Sequence, residues 1–158
     1  GLAIASQAKE SWVTLADVSP NALRVAKQNA AQFGPRVSCI QADALQPAPA
    51  LLKNYDILVS NPPYITNADM EALPDSVKNY EPDLALRGGE DGLDFYRSIV
   101  QNFSSVLKPE GYICFEFGMN QAKDVCLILM AGGYRILELR DDSRGITRAV
   151  IAQKKSEE

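Results

Sequence analysis

The chain has 158 residues, about the length of one domain, and its 46% apolar and 23% charged residues, with 10 Gly and 9 Pro, exclude disordered, collagen-like and coiled-coil classes. Sixteen Lys+Arg against 20 Asp+Glu leave a net charge of −4 without a basic cluster, so no autonomous binding to DNA is expected. Histidine is absent, which excludes Ser-His-Asp and Cys-His nucleophilic catalysis and any His-ligated metal. No metal site is expected, and no membrane partner either, the latter because no apolar run approaches the roughly 18 residues of a span. Cys39, Cys114 and Cys126 have no CxxC spacing and lie in apolar stretches. They are expected as buried thiols in a reducing compartment, which places the protein in the cytoplasm.

Short apolar runs alternate with helical periods. Val13 to Asp17 reads as a strand ending in an acid. Ser19-Pro20-Asn21 supplies an N-cap and a first-turn proline, and Leu23, Ala26, Ala30 and Phe33 keep helical spacing up to Gly34-Pro35. Val37 to Asp43 predicts a second strand, and Tyr55 to Ser60 a third that runs into Asn61-Pro62-Pro63-Tyr64. Residues 65–91 are the least regular, with a short helix predicted near residues 68–77; a connection this long is usually functional. Leu93, Tyr96, Ile99, Val100, Phe103 and Leu107 restore the helical period. Lys108-Pro109-Glu110-Gly111 predicts a turn, Tyr112 to Phe117 a fourth strand, and Asn120 to Met130 a helix stopped by Gly132-Gly133. Tyr134 to Arg140 and Arg148 to Ala152 predict two last strands joined by a hairpin-like link. Residues 1–153 are expected to form one domain, followed by a polar tail over 154–158.

Strand–helix alternation implies an α/β fold with a mostly parallel sheet, in which ligands bind at the carboxyl ends of strands. Asp17, Asp43 and Asn61 each end or directly follow a strand. Asp17 has two readings: an acceptor for both hydroxyls of a ribose, or a charge that favours a helix N-terminus. Asp43 either accepts from an adenine amino group or caps the turn at Ala44. The segment Ser60-Asn61-Pro62-Pro63-Tyr64 is more informative. Two prolines remove two backbone donors and fix φ, leaving rigid carbonyls; the Asn side chain adds an acceptor and the Tyr a flat face. That set suits a planar NH₂ group. The alternative is a Pro-rich turn with Tyr64 packed at its rim. Gly88-Gly89 permit close backbone approach, and Asp91 is expected to cap a helix starting at Gly92. Glu81 and Tyr96 read equally well as substrate-side or packing residues. Glu116 reads as structural.

Asp17, Asp43 and Asn61-Pro62-Pro63-Tyr64 resemble the later motifs of class I S-adenosylmethionine-dependent methyltransferases that act on amino groups. Ser60 to Ile65, Glu81-Pro82, the run Gly88-Gly89-Glu90-Asp91-Gly92-Leu93, Tyr96-Arg97 and the stretch from Asp141 to Arg148 are similar to the HemK/PrmC family of release-factor glutamine methyltransferases. The resemblance runs along essentially the whole chain, and the 88–93 run is its specific part. It implies a Rossmann-like sheet and S-adenosyl-L-methionine as cofactor, held by Asp17, Asp43, Ala44 and Asn61. It implies catalysis by Asn61, Pro62 and Tyr64, with Asn61, Pro62, Pro63 and Tyr64 facing the substrate. That substrate would be the glutamine of a Gly-Gly-Gln loop in a peptide chain release factor. The family's first strand and Gly-rich loop have no counterpart here, because GLAIASQA resembles the middle of its first helix. The chain is therefore expected to lack the first strand, to be a portion of a longer protein and to bind the cofactor poorly by itself. An amine methyltransferase on DNA or RNA shares the NPPY chemistry, and a non-catalytic binding module is the alternative from another class.

Overall fold

The computed structural model describes residues 1–74 and 82–156. They belong to two compact units, residues 1–49 and 50–158, and each is taken by itself.

The first unit starts with helix α1 (Leu2–Gln7), then strand β1 (Val13–Asp17), helix α2 (Pro20–Ala30), a 3₁₀ stretch over Ala31–Arg36 and strand β2 (Val37–Gln41). The α2 start is as the sequence predicts. The Ser19 hydroxyl accepts the Ala22 N–H at 3.3 Å, and Pro20 occupies the first turn, where no N–H is needed. Gly34, at φ 61, turns the chain out of the 3₁₀ stretch. Strands β1 and β2 pair in parallel from Val13 with Val37 to Asp17 with Gln41. Ala5, Ala30 and Val37 form the buried centre, with Leu2, Val13, Leu15, Phe33 and Cys39 packed on it.

The second unit contains strand β3 (Tyr55–Ser60), helices α3 (Asn67–Glu71), α4 (Asp83–Leu86) and α5 (Asp94–Asn102), and a 3₁₀ turn over Ser104–Val106. Strand β4 (Leu107–Glu116), helix α6 (Ala122–Ala131) and strands β5 (Tyr134–Asp141) and β6 (Thr147–Lys154) follow. The sheet order is β3-β4-β6-β5. Strand β3 runs parallel to β4, whereas β6 lies antiparallel to both β4 and β5. Antiparallel pairing of the last two strands is what their short link requires. The described strands therefore make a parallel pair in the first unit and a mixed four-stranded sheet in the second.

Several boundaries differ from the sequence reading for local reasons. Strand β4 begins at Leu107, and the expected turn, Lys108 to Gly111, is a bulge within it. Those residues stand opposite Asp56 alone, since Tyr55 pairs with Leu107 and Ile57 with Tyr112, and Glu110 takes φ 59. Helix α6 starts at Ala122 because Asn120 sits at φ 70, which no helix continues through. The helix begun at Asn67 is capped by the Thr66 hydroxyl, which accepts the Asp69 N–H at 3.0 Å. It ends at Glu71; the rest of the expected span past residue 74, and Glu81, lie outside the described residues. Strand β6 includes Lys154, whose ammonium donates to the Ser104 carbonyl at 3.0 Å.

Helix α5 buries Tyr96, Ile99 and Val100, as its period predicts. Ile113, Phe115, Phe117, Val125, Leu129, Tyr134 and Val150 are likewise fully or almost fully buried. Tyr96 and Phe115 stack edge to face at 5.2 Å. The cysteines are free thiols but half-buried, where the sequence reading expected burial. Burial pushes the Cys114 and Cys126 thiols up. Phe115→Ala is expected to cost about 3–5 kcal/mol through lost burial and the cavity it leaves. Urea unfolding, compared with the exposed-site change Leu137→Ala, measures that cost.

Candidate functional site

In the first unit, Asp17 and Asp43 are brought to one end of the β1–β2 pair. Asp17 closes β1, and its Oδ1 accepts the Ser19 N–H at 2.8 Å. Asp43 lies two residues past β2, not at its end, and its Oδ1 accepts the Leu45 N–H at 2.8 Å. The Ala42 N–H donates to the Asp17 carbonyl at 3.1 Å, and the Gln41 side-chain NH₂ donates to the Val18 carbonyl at 3.0 Å. Those two bonds hold the strand ends side by side. Each aspartate thus makes the same Asx turn, in which one carboxylate oxygen satisfies the N–H two residues on. The turn fixes each side chain and leaves its second carboxylate oxygen without a donor among the described residues. Ala44 is half-buried in the turn between Asp43 and Leu45. This acceptor-rich edge fits a group that presents hydroxyl and amino donors, as adenosine does. The open depression lined by Pro20, Leu23, Arg24, Lys27, Gln28 and Gln41 includes neither aspartate and bears no such chemistry.

In the second unit, Asn61 directly follows β3 and is exposed; Pro62 is buried, and Pro63 and Tyr64 are half-buried. Among the described residues the Asn61 side chain takes no hydrogen bond, so its carbonyl oxygen is free to accept one. The loop beyond it is held by backbone. The Ile65 N–H donates to Leu86 carbonyl at 3.0 Å, Gly88 N–H to Ile65 carbonyl at 2.8 Å, and Asn67 N–H to Gly89 carbonyl at 2.9 Å. A single bridge between Ile65 and Arg87 results. Arg87 also pairs with Asp83 at 3.0 Å and donates to the Asn67 side chain at 3.0 Å.

The NPPY loop and the 88–93 run therefore form one body, although 24 residues separate Tyr64 from Gly88. The contact leaves no room for a side chain at Gly88. A Cβ there would lie 2.7 Å from Tyr64 Cα and 2.8 Å from the Pro63 carbonyl oxygen. Gly92 combines φ +75 with an equally close approach, since a Cβ there would run into the Tyr64 carbonyl oxygen. The Tyr64 ring packs on Gly118, two residues past the end of β4.

Asp91 does not cap the first turn of a helix starting at Gly92. Helix α5 starts at Asp94, and Asp91 Oδ1 accepts the Leu93 N–H at 3.1 Å ahead of it. The positive φ of Gly92 turns the chain before the helix can begin. The Arg97 guanidinium grips the Asp91 carboxylate with two nitrogens, which holds that carboxyl below its ordinary range. Tyr96 is a core residue: its side chain is fully buried and its hydroxyl donates to the Glu116 carbonyl at 2.9 Å. Burial pushes that hydroxyl's pKa up, so it stays protonated. Glu116 is exposed, and its carbonyl serves the core. Asp17 and Asp43 lie in one unit and the 61–64 loop in the other.

The chain shares the fold of class I S-adenosylmethionine-dependent methyltransferases. Solved structures share the fold: a predicted O-methyltransferase from Agrobacterium tumefaciens superimposes with a TM-score of 0.65 at 19% identity, covering 99% of this chain and 68% of that one. A methyltransferase from Pyrococcus furiosus gives 0.63 at 15% identity, over 98% of this chain and 68% of that one. The chain belongs to the methyltransferase-domain family, whose model matches residues 2–135. A release factor glutamine methyltransferase of Clostridium acetobutylicum is 44% identical over 154 residues, 96% of this chain and 54% of the relative. One from Geobacter sulfurreducens is 39% identical over 149 residues, 94% of this chain and 52% of the relative. The chain thus spans about half the length of these curated relatives.

Proposed function

We propose that the whole protein transfers a methyl group from S-adenosyl-L-methionine to the side-chain amide of glutamine in the Gly-Gly-Gln loop of a peptide chain release factor. The observation that carries the reading is the loop from Asn61 to Tyr64, rigid, rich in acceptors and seated on the 88–93 turn. The names of the relatives support the choice of substrate. The three free thiols, and a translation factor as substrate, support a cytoplasmic location.

The second carboxylate oxygens of Asp17 and Asp43 would accept from the ribose hydroxyls and the adenine amine, with Ala44 beside them. When bound, the cofactor supplies an electrophilic methyl group on a sulfonium. An amide nitrogen is a poor nucleophile because its lone pair is delocalised. The Asn61 side-chain oxygen and the Pro62 carbonyl would each accept one N–H of the substrate amide. That pair of bonds fixes the plane of the amide and turns its nitrogen toward the methyl carbon. Pro63 keeps the loop rigid, and the Tyr64 ring lies against the amide plane, where its face also attracts a cationic sulfur. The nitrogen that gains the methyl gives up one proton to solvent, so no strong base is required. Positioning supplies most of the acceleration.

Transfer from labelled S-adenosylmethionine tests the reading, with three acceptors in parallel: a release factor, its Gly-Gly-Gln glutamine changed to Ala, and duplex DNA. Label on the first alone is expected. Label on DNA would assign the protein to the nucleic-acid amine methyltransferases, and no label on any acceptor would favour a binding module.

A further inference from the structure

Gln121 precedes α6 and is half-buried. Its side chain folds back from the helix and uses both ends of its amide. The oxygen accepts the Gly118 N–H at 2.9 Å. The NH₂ group donates to the Tyr64 carbonyl at 3.1 Å and to the Gly92 carbonyl at 3.3 Å. One amide thereby ties three chain segments: the NPPY loop, the turn at Gly92 and the turn after β4. Those same segments already meet at closest approach. A Cβ on Gly92 would touch both the Tyr64 carbonyl oxygen and Gln121 Nε2, and one on Gly118 would touch the Tyr64 ring and Gln121 Oε1. Among the described residues, no other side chain hydrogen-bonds to residues 61–65.

We propose that Gln121 is a positioning residue: by holding the Tyr64 carbonyl, it sets where the Tyr64 ring and the acceptors of Asn61 and Pro62 stand. This rests on the methyl-transfer reading above. The chemistry calls for an amide. Two carbonyls need two N–H donors, and the Gly118 N–H needs an acceptor on the same group. A methionine of similar length fills the space and supplies no donor. An ionised glutamate would set a negative charge against two carbonyl oxygens. The loop's backbone bonds from Ile65, Gly88 and Asn67 do not involve Gln121, so they can persist when it is changed.

The test compares Gln121→Met and Gln121→Ala with the parent in the whole protein. Expected is a fall in kcat of about tenfold to a hundredfold, the scale of a small misplacement of reacting groups. The KM for release factor should stay within about twofold, since Gln121 is not expected to touch either substrate. A second readout does not need turnover: in protein carrying ¹³C-labelled tyrosine rings, the Tyr64 resonances should shift in both variants. The Tyr134 resonances, from a ring whose hydroxyl lies beside Ser104, should not. Unchanged kcat, or unmoved Tyr64 resonances, would overturn the proposal. A parent that methylates no acceptor would sink the methyl-transfer reading instead, and the Tyr64 resonances would then decide for Gln121 alone.

Discussion

Asn61→Ala is expected to lower methyl transfer by at least about a hundredfold while leaving the protein folded, because it removes one of two acceptors that would orient the substrate amide. The side chain is exposed and takes no hydrogen bond among the described residues, so its loss leaves no buried group unsatisfied. Its backbone position is set by β3 on one side and by buried Pro62 on the other. The thermal midpoint should therefore stay within about 0.5 kcal/mol of the parent in stability terms, as for surface substitutions generally. Asn61→Asp separates shape from chemistry. It keeps an acceptor and adds a charge, so more activity is expected from it than from the alanine. Activity of the alanine variant near that of the parent would discard the two-acceptor mechanism.

Gly88→Ala is expected to impair the same site from behind. The new methyl group would stand 2.7 Å from Tyr64 Cα, 2.8 Å from the Pro63 carbonyl oxygen and 2.9 Å from Tyr64 C. All three are backbone atoms, which cannot swing aside as a side-chain end can. The loop must move away by several tenths of an ångström or more, carrying Pro62, Pro63 and Tyr64 with it. Overpacking of this kind costs about 1–3 kcal/mol of stability. Displacement of the acceptors should add a loss of transfer of about a hundredfold, larger than the stability change alone would give in a protein that is still mostly folded. Circular dichroism melts and initial rates on one preparation check both. Full activity would show that the 88–93 turn does not set the NPPY loop.

Much of this was legible in the sequence because it is local. Strands Val13–Asp17 and Tyr55–Ser60 have the predicted bounds, since apolar runs and turn residues fix both ends. The Ser19 cap, the Pro20 start and the buried face of α5 follow from spacing alone. Asp17 reads from the sequence as a ribose acceptor or as a charge at a helix N-terminus; the structure shows one of its carboxylate oxygens accepting the Ser19 N–H just ahead of α2. What the sequence hides depends on distant partners or on backbone geometry. The turn over Asp83–Leu86 is a single helical turn with no period to read. The later start of α6 is set by the positive φ of Asn120. Tyr96 reads alike as a site or core residue until its hydroxyl is found on the Glu116 carbonyl, 20 residues away. Gln121 is 57 residues from Tyr64 and 29 from Gly92, so no local pattern marks it. The nearest signal was its place in the first turn of the predicted helix, soon after a strand end, where this fold class puts its sites.

The most direct measurement is mass spectrometry of the Gly-Gly-Gln peptide from a release factor incubated with the whole protein and S-adenosylmethionine. A peptide heavier by one methylene, with fragment ions that place the methyl on the glutamine side-chain nitrogen and that vanish with Asn61→Ala, is the predicted result. A methyl group found on another residue, on a nucleic-acid base instead of the protein, or undiminished in the Asn61 variant would contradict it.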